Sequence, residues 1–143
     1  MMKFSGLLEN YHASLAALWL ILLTMFIQSL VAMVAHRRQA SYIPGIVDPN
    51  LSHSSFVFRS DRCFRNSLEN SLIMIACIVL AMNLGMAAIT LAWLAWIYAL
   101  ARIVHMVLYY AIATEKNPSP RSYFFGIGFI CNLVLLIWLA LLL

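Results

Sequence analysis

Charge is scarce in this chain. Only 10% of its 143 residues are charged, against 64% that are hydrophobic, and the mean hydropathy is +0.92. A soluble domain devotes about a quarter of its residues to charge, so a water-facing globular surface is excluded. The apolar runs are continuous and do not alternate, which excludes a membrane β-barrel and leaves membrane-spanning helices. Cysteine is scarce too. Cys63, Cys77 and Cys131 are too few and too scattered for a disulfide framework, and no CxxC or mixed Cys/His spacing marks a metal site. They read as thiols of an apolar core or a lipid face. His12, His36, His53 and His105 form no HExxH pattern, so no metal is expected. The excess of base over acid amounts to +4, too small and too dispersed for a nucleic-acid footprint. Met1 to Glu9 lacks the small-residue cleavage site of a signal peptide, and the apolar run behind it is too long for one.

The apolar runs define one membrane domain over residues 1–143, an all-α bundle of four transmembrane helices. The spans are expected at about 11–35, 62–84, 90–114 and 120–143, each long enough for a hydrocarbon core of ~30 Å. In the first span Gln28 is the only strongly polar side chain and reads as helix-to-helix glue. His36-Arg37-Arg38-Gln39 closes that span as a basic anchor. A polar loop over 36–61 follows, with turn signals at Pro44-Gly45 and Asp48-Pro49-Asn50. His53 and Arg59 lie in it without an evident partner. Gly85 is a plausible break between the second and third spans. Ser119 and Pro120 suit the N-cap and first turn of the fourth helix, and Gly126, Gly128 and Asn132 suggest close packing there.

Two polar stripes interrupt this apolar pattern. At the start of the second span, helical spacing puts Arg62, Arg65, Asn66, Glu69 and Asn70 on one face, with Cys63, Phe64 and Leu68 falling away from it. In the third span Tyr98, Arg102, His105 and Tyr109 share a face. Charge entering a membrane is expensive unless something answers it. Because successive spans alternate in direction, both stripes, Arg37 or Arg38, and Arg121-Ser122 meet at one membrane boundary. The pocket so formed is rich in arginine and holds one carboxylate, Glu69. Its natural ligand is a small anion with more than one carboxylate and an amino group, since arginine grips carboxylates as a bidentate fork. Internal pairing of Glu69 with Arg65 or Arg102 is the structural alternative. The basic residues Arg37, Arg38, Arg59, Arg62, Arg65, Lys116 and Arg121 sit at the first and third loops, and only Lys3 sits on the other side. The positive-inside rule then puts those loops in the cytoplasm and both termini opposite.

Arg-x-x-Arg-Asn-x-x-Glu-Asn over residues 62–70, Arg-x-x-His-x-x-x-Tyr over 102–109 and Pro120-Arg121-Ser122 resemble the signatures of the MAPEG family, the membrane-associated proteins of eicosanoid and glutathione metabolism. The resemblance covers nearly the whole chain in element order and length, and the paired motifs are more specific than either alone. It implies a left-handed four-helix bundle assembled as a homotrimer, with glutathione as co-substrate at the subunit interfaces near the cytoplasmic face. Carried over by position, Arg65, Asn66 and Glu69 hold the γ-glutamyl and carboxylate groups. His105 and Tyr109 complete the peptide contacts, Arg62 and Arg102 support the pocket, and Asn70 counts among the substrate-binding residues. Arg37 or Arg38 comes from a neighbour's first helix. Arg121, with Ser122 beside it, matches the position that stabilises the thiolate. The family often carries a tyrosine one turn later; here the nearby positions are Tyr123 and Phe125.

The resemblance therefore implies a microsomal-type glutathione transferase acting in detoxification, with a lipophilic electrophile or a lipid hydroperoxide as second substrate. No Cys/His or Ser/His arrangement suited to covalent catalysis appears in the stripes, in line with a mechanism that needs no protein nucleophile. A non-catalytic lipid-binding or scaffold protein on the same fold is the alternative, although such a relative should have lost several of Arg65, Glu69, Arg102, Tyr109 and Arg121. A small transporter fits less well, because the polar residues gather at one boundary and not at the midplane, and no pair of broken helices appears.

Overall fold

The structure, a computed structural model, describes residues 4–143; Lys3 lies outside that range. Among the described residues a short helix, α1 (Phe4–Asn10), leads into four long ones: α2 (His12–Arg37), α3 (Phe56–Asn83), α4 (Ala88–Ala111) and α5 (Pro120–Leu142). All four long helices have the length and composition to cross a membrane. α4 packs against α2, α3 and α5, and so forms the spine of the bundle. In lipid the hydrophobic effect does not drive helices together, so close packing and polar contacts must. Small residues supply the first. Ala92, Ala95 and Ala99 are buried along α4, and Gly128 on α5 lies so near it that an added Cβ would sit 3.4 Å from the Tyr98 ring and 3.5 Å from Cδ of Arg102. Gly126 has open space instead, so of the two glycines only Gly128 serves packing. Leu22, Phe26, Leu72, Ile89 and Trp93 point outward, where a bilayer would receive them.

The turn joining α3 to α4 is fixed by its backbone. Gly85 takes φ +72°, its N–H reaches Met82 O at 3.3 Å, and the Met86 N–H reaches Ala81 O at 3.0 Å. This pair of bonds closes the helix carbonyls in a Schellman motif, which needs the left-handed conformation glycine adopts without a steric cost. Polar contacts then tie the turn to the first span. The buried Tyr11 hydroxyl donates to Met86 O at 2.6 Å, and the Trp96 indole N–H donates to Ala13 O at 3.0 Å.

At the opposite end several boundaries differ from the expected ones. The second long helix takes in Phe56 to Asp61, which hydropathy assigns to the loop. With 28 residues it is about 42 Å long at ~1.5 Å per residue, longer than the ~30 Å apolar slab. The slab cannot hold its whole length, and over Phe56 to Asp61 the composition stops looking like a span although the backbone stays helical. Ser55 is extended at the N-cap, the Phe56 ring meets Tyr110 edge-on at 5.4 Å, and the Arg59 guanidinium lies 5.6 Å over the Phe56 ring. α4 ends earlier than expected, at Ala111, because Ile112 is extended (φ −110°, ψ 111°). Pro120 opens α5 behind an extended Ser119, and the Ser119 N–H donates to Ser122 Oγ at 3.1 Å. Ser122 thus closes a capping box.

Candidate functional site

The end of α3 that begins at Phe56, the end of α4 and the start of α5 converge on four buried polar residues: Arg102, His105, Tyr109 and Arg121. Arg102 is 3% exposed. Its Nη2 donates to Asn66 Oδ1 and to Ser67 Oγ, both at 2.8 Å. These bonds join the two stripes read from the sequence, through an asparagine and a serine and not through Glu69. One turn further along α4, His105 is 2% exposed and its ring centroid lies 5.3 Å from that of Tyr109. Arg121, 9% exposed, reaches back from the first turn of α5. Its Nη2 donates to Thr114 O at 2.8 Å, and its guanidinium lies 4.2 Å over the Tyr109 ring. Stacking of this kind suits a planar, weakly hydrated guanidinium and would not suit lysine.

The arginines of this cluster are not neutralised. Among the described residues neither Arg102 nor Arg121 has an ion-pair partner. Nε and Nη1 of Arg102, Nδ1 of His105 and Nη1 of Arg121 are buried without any hydrogen-bond partner. A buried donor left unmade costs about 1–3 kcal/mol, and more when it is charged. Two buried cations with spare N–H groups have the chemistry to receive an anion.

The other candidate residues lie on the protomer's outside. Arg62, Arg65 and Glu69 are exposed, while Asn66 and Asn70 are half-buried. Arg65 pairs with Asp61 at 2.8 Å, so neither of the pairings anticipated for Glu69 forms. Asn70 turns inward along its own helix, donating to Asn66 O at 2.8 Å, and its carbonyl accepts from Asn132 Nδ2 at 3.1 Å. Arg37 and Arg38 are both exposed and face different hollows. Arg37, with His36, Asp61 and Phe64, lines a cavity of about 350 Å³ between α2 and α3; Arg38 borders an apolar groove with Leu30, Val34 and Phe56. Neither reaches the buried cluster within one protomer.

Sequence reasoning missed the loop's contribution. His53 and Arg59, which have no evident partner in the sequence, both have partners in the structure. The His53 ring Nδ1 lies 2.7 Å from Glu115 Oε2, and its backbone N–H donates to Glu115 Oε1 at 2.8 Å. Its Nε2 lies 3.3 Å from the Tyr109 hydroxyl. Arg59 donates to the carbonyls of His53 at 2.6 Å, Ser54 at 3.0 Å and Tyr110 at 3.4 Å. These hydrogen bonds from His53 lower the Glu115 carboxyl pKa from its usual value. No short spacing announces such a latch, because its two halves are 62 residues apart.

A profile of the MAPEG family matches residues 13–141, a stretch that takes in all four long helices except the end residues His12 and Leu142, and every residue of the cluster. The protein belongs to the MAPEG family. No curated protein and no solved structure gives a significant match to the chain. MAPEG membership agrees with the four apolar helices and with a role in membrane-bound glutathione or eicosanoid metabolism, and it makes this an integral membrane protein.

Proposed function

We propose that this MAPEG protein is a membrane glutathione transferase, in which Arg121 holds glutathione as its thiolate for attack on a lipophilic electrophile or for reduction of a lipid hydroperoxide. The observation that carries this reading is the pair of buried, unneutralised guanidinium groups with spare N–H donors. An anionic tripeptide supplies what they lack. A free thiol of pKa near 8.5 is only a few per cent ionised at neutral pH. Lowering it by ~2 units takes ~2.7 kcal/mol at about 1.36 kcal/mol per unit. One charge-assisted hydrogen bond is worth ~1.5–3 kcal/mol, so Arg121 suffices without a protein nucleophile.

In this reading glutathione spans both polar regions. Its carboxylates meet Arg62, Arg65 and Arg102, its amino group meets Glu69, and Asn66, Asn70, His105 and Tyr109 line the peptide. Ser122 keeps the first turn of α5, and hence Arg121, in place. Arg62, Arg65 and Glu69 lie exposed on the protomer at the membrane boundary, where lipid would solvate them poorly. Two further copies in a homotrimer would cover them, with Arg37 or Arg38 reaching in from a neighbour. The Arg-rich loops face the cytoplasm by the positive-inside rule. The test is turnover by the detergent-purified protein with a chromogenic aromatic halide and with a fatty-acid hydroperoxide. Glutathione-dependent conjugate or alcohol, saturable in glutathione, is expected. No product from either, together with no glutathione binding, would overturn the reading in favour of a silent lipid-binding relative.

A further inference from the structure

The geometry points to His53 as the residue that accepts, through the Tyr109 hydroxyl, the proton leaving the glutathione thiol. This inference rests on the proposed glutathione chemistry and adds a step that chemistry requires, since a thiol that becomes a thiolate must lose its proton to something. Arg121 stabilises the product of that ionisation but is permanently protonated and can take no proton.

The hydrogen-bond partners fix the proton inventory. Glu115 as a carboxylate only accepts, so at 2.7 Å from Oε2 the His53 Nδ1 carries the proton. Nε2 of the neutral ring then has a free lone pair, and it faces the Tyr109 hydroxyl at 3.3 Å. Tyr109 donates toward His53, and its oxygen lone pairs are left for the site. The Tyr109 ring lies 4.2 Å under the Arg121 guanidinium and 5.3 Å from the His105 ring, so Tyr109 neighbours the group proposed to bind the thiolate. The transfer balances. The S–H proton passes to the Tyr109 oxygen while the Tyr109 O–H proton passes to His53 Nε2. The sulfur keeps its electron pair, Tyr109 is restored, and the imidazolium is neutralised by Glu115 until it yields a proton to bulk water. An exit exists, because the side chains of His53 and Glu115 are 19% and 65% exposed. The charged and titratable groups facing His53 are Glu115 after α4, Tyr109 of α4 and Arg59 of α3, whose guanidinium donates to the His53 carbonyl. Of these only Glu115 favours the imidazolium by charge. His53 acts through Tyr109 and is a positioning and relay residue, not one that touches the sulfur.

The experiment is stopped-flow measurement of thiolate formation after mixing full-length, detergent-purified protein with glutathione near neutral pH. His53→Gln should slow thiolate formation at least about tenfold and recover rate with added imidazole, while equilibrium binding of glutathione is retained. In a Tyr109→Phe background His53→Gln should change the rate no further, the mark of two residues in one path. Glu115→Gln, which leaves His53 in place but takes away the carboxylate that would neutralise its imidazolium, should also slow thiolate formation, and it decides the matter if His53→Gln loses binding by failing to fold. Parental rates in H53Q, or in E115Q where H53Q does not fold, would overturn the relay. Absence of glutathione binding by the parent would instead overturn the transferase reading beneath it.

Discussion

At the scale of single residues, the site is a problem of unmatched donors. Arg102 and Arg121 keep buried N–H groups without acceptors, and each is expected to contribute to holding an anion in its own way. Arg121→Ala should leave glutathione binding largely intact and cut the thiolate fraction roughly ten- to a hundredfold, the equivalent of the ~1.5–3 kcal/mol of one charge-assisted bond; ultraviolet thiolate absorbance measures it. Glu69 is exposed and unpaired among the described residues, which leaves it free for an ammonium group. Glu69→Gln should weaken glutathione more than a glutathione analogue lacking the amino group, and equal losses for the two ligands in equilibrium binding would remove Glu69 from that role. The arginines, the histidine and the tyrosine of the cluster were legible in the sequence, because polar side chains on one face of an apolar helix demand a partner. The identity of the partners was not. Arg102 bonds to Asn66 and Ser67 and leaves Glu69 alone, a choice set by side-chain reach across α3 and α4 that spacing does not encode.

At the scale of elements, the helices were legible where composition and backbone agree, and misread where they part. The α3–α4 break at Gly85 was visible as a glycine between two apolar runs, and the positive φ there explains it. Gly85→Ala should cost about 1–2 kcal/mol through the strained left-handed backbone, read as a lower unfolding midpoint in detergent. The start of α3 was hidden, since a helix that emerges from the membrane takes on loop-like composition over Phe56 to Asp61. The latch between the first and third loops was hidden for another reason: it joins two segments far apart in sequence through one histidine and one glutamate. Its pH dependence follows from the lowered Glu115 pKa. A carboxylate with a depressed pKa in the folded state lends stability above its ordinary pKa. That stability is lost as pH falls through the lower, folded value. The His53 amide, which donates to Glu115, should therefore exchange with solvent more readily, relative to other loop amides, as pH drops below the ordinary carboxylate range. Glu115→Gln should remove that dependence.

At the scale of the whole molecule, one protomer divides its polar residues between a buried cluster and an exposed edge. Arg102, His105, Tyr109 and Arg121 are enclosed by α3, α4 and α5, whereas Arg62, Arg65 and Glu69 lie outside. The proposed homotrimer would place a neighbouring copy over that edge, and native mass measurement in detergent should then give three copies of the chain. A monomer fully active in turnover would contradict this arrangement. The measurement that tests the central claim most directly is titration of glutathione into the purified protein near neutral pH while following ultraviolet thiolate absorbance. A saturable signal is expected, abolished by a non-ionisable glutathione analogue and missing in Arg121→Ala although that variant still binds glutathione. No signal in the parent at saturating glutathione would contradict the claim that this site makes a thiolate.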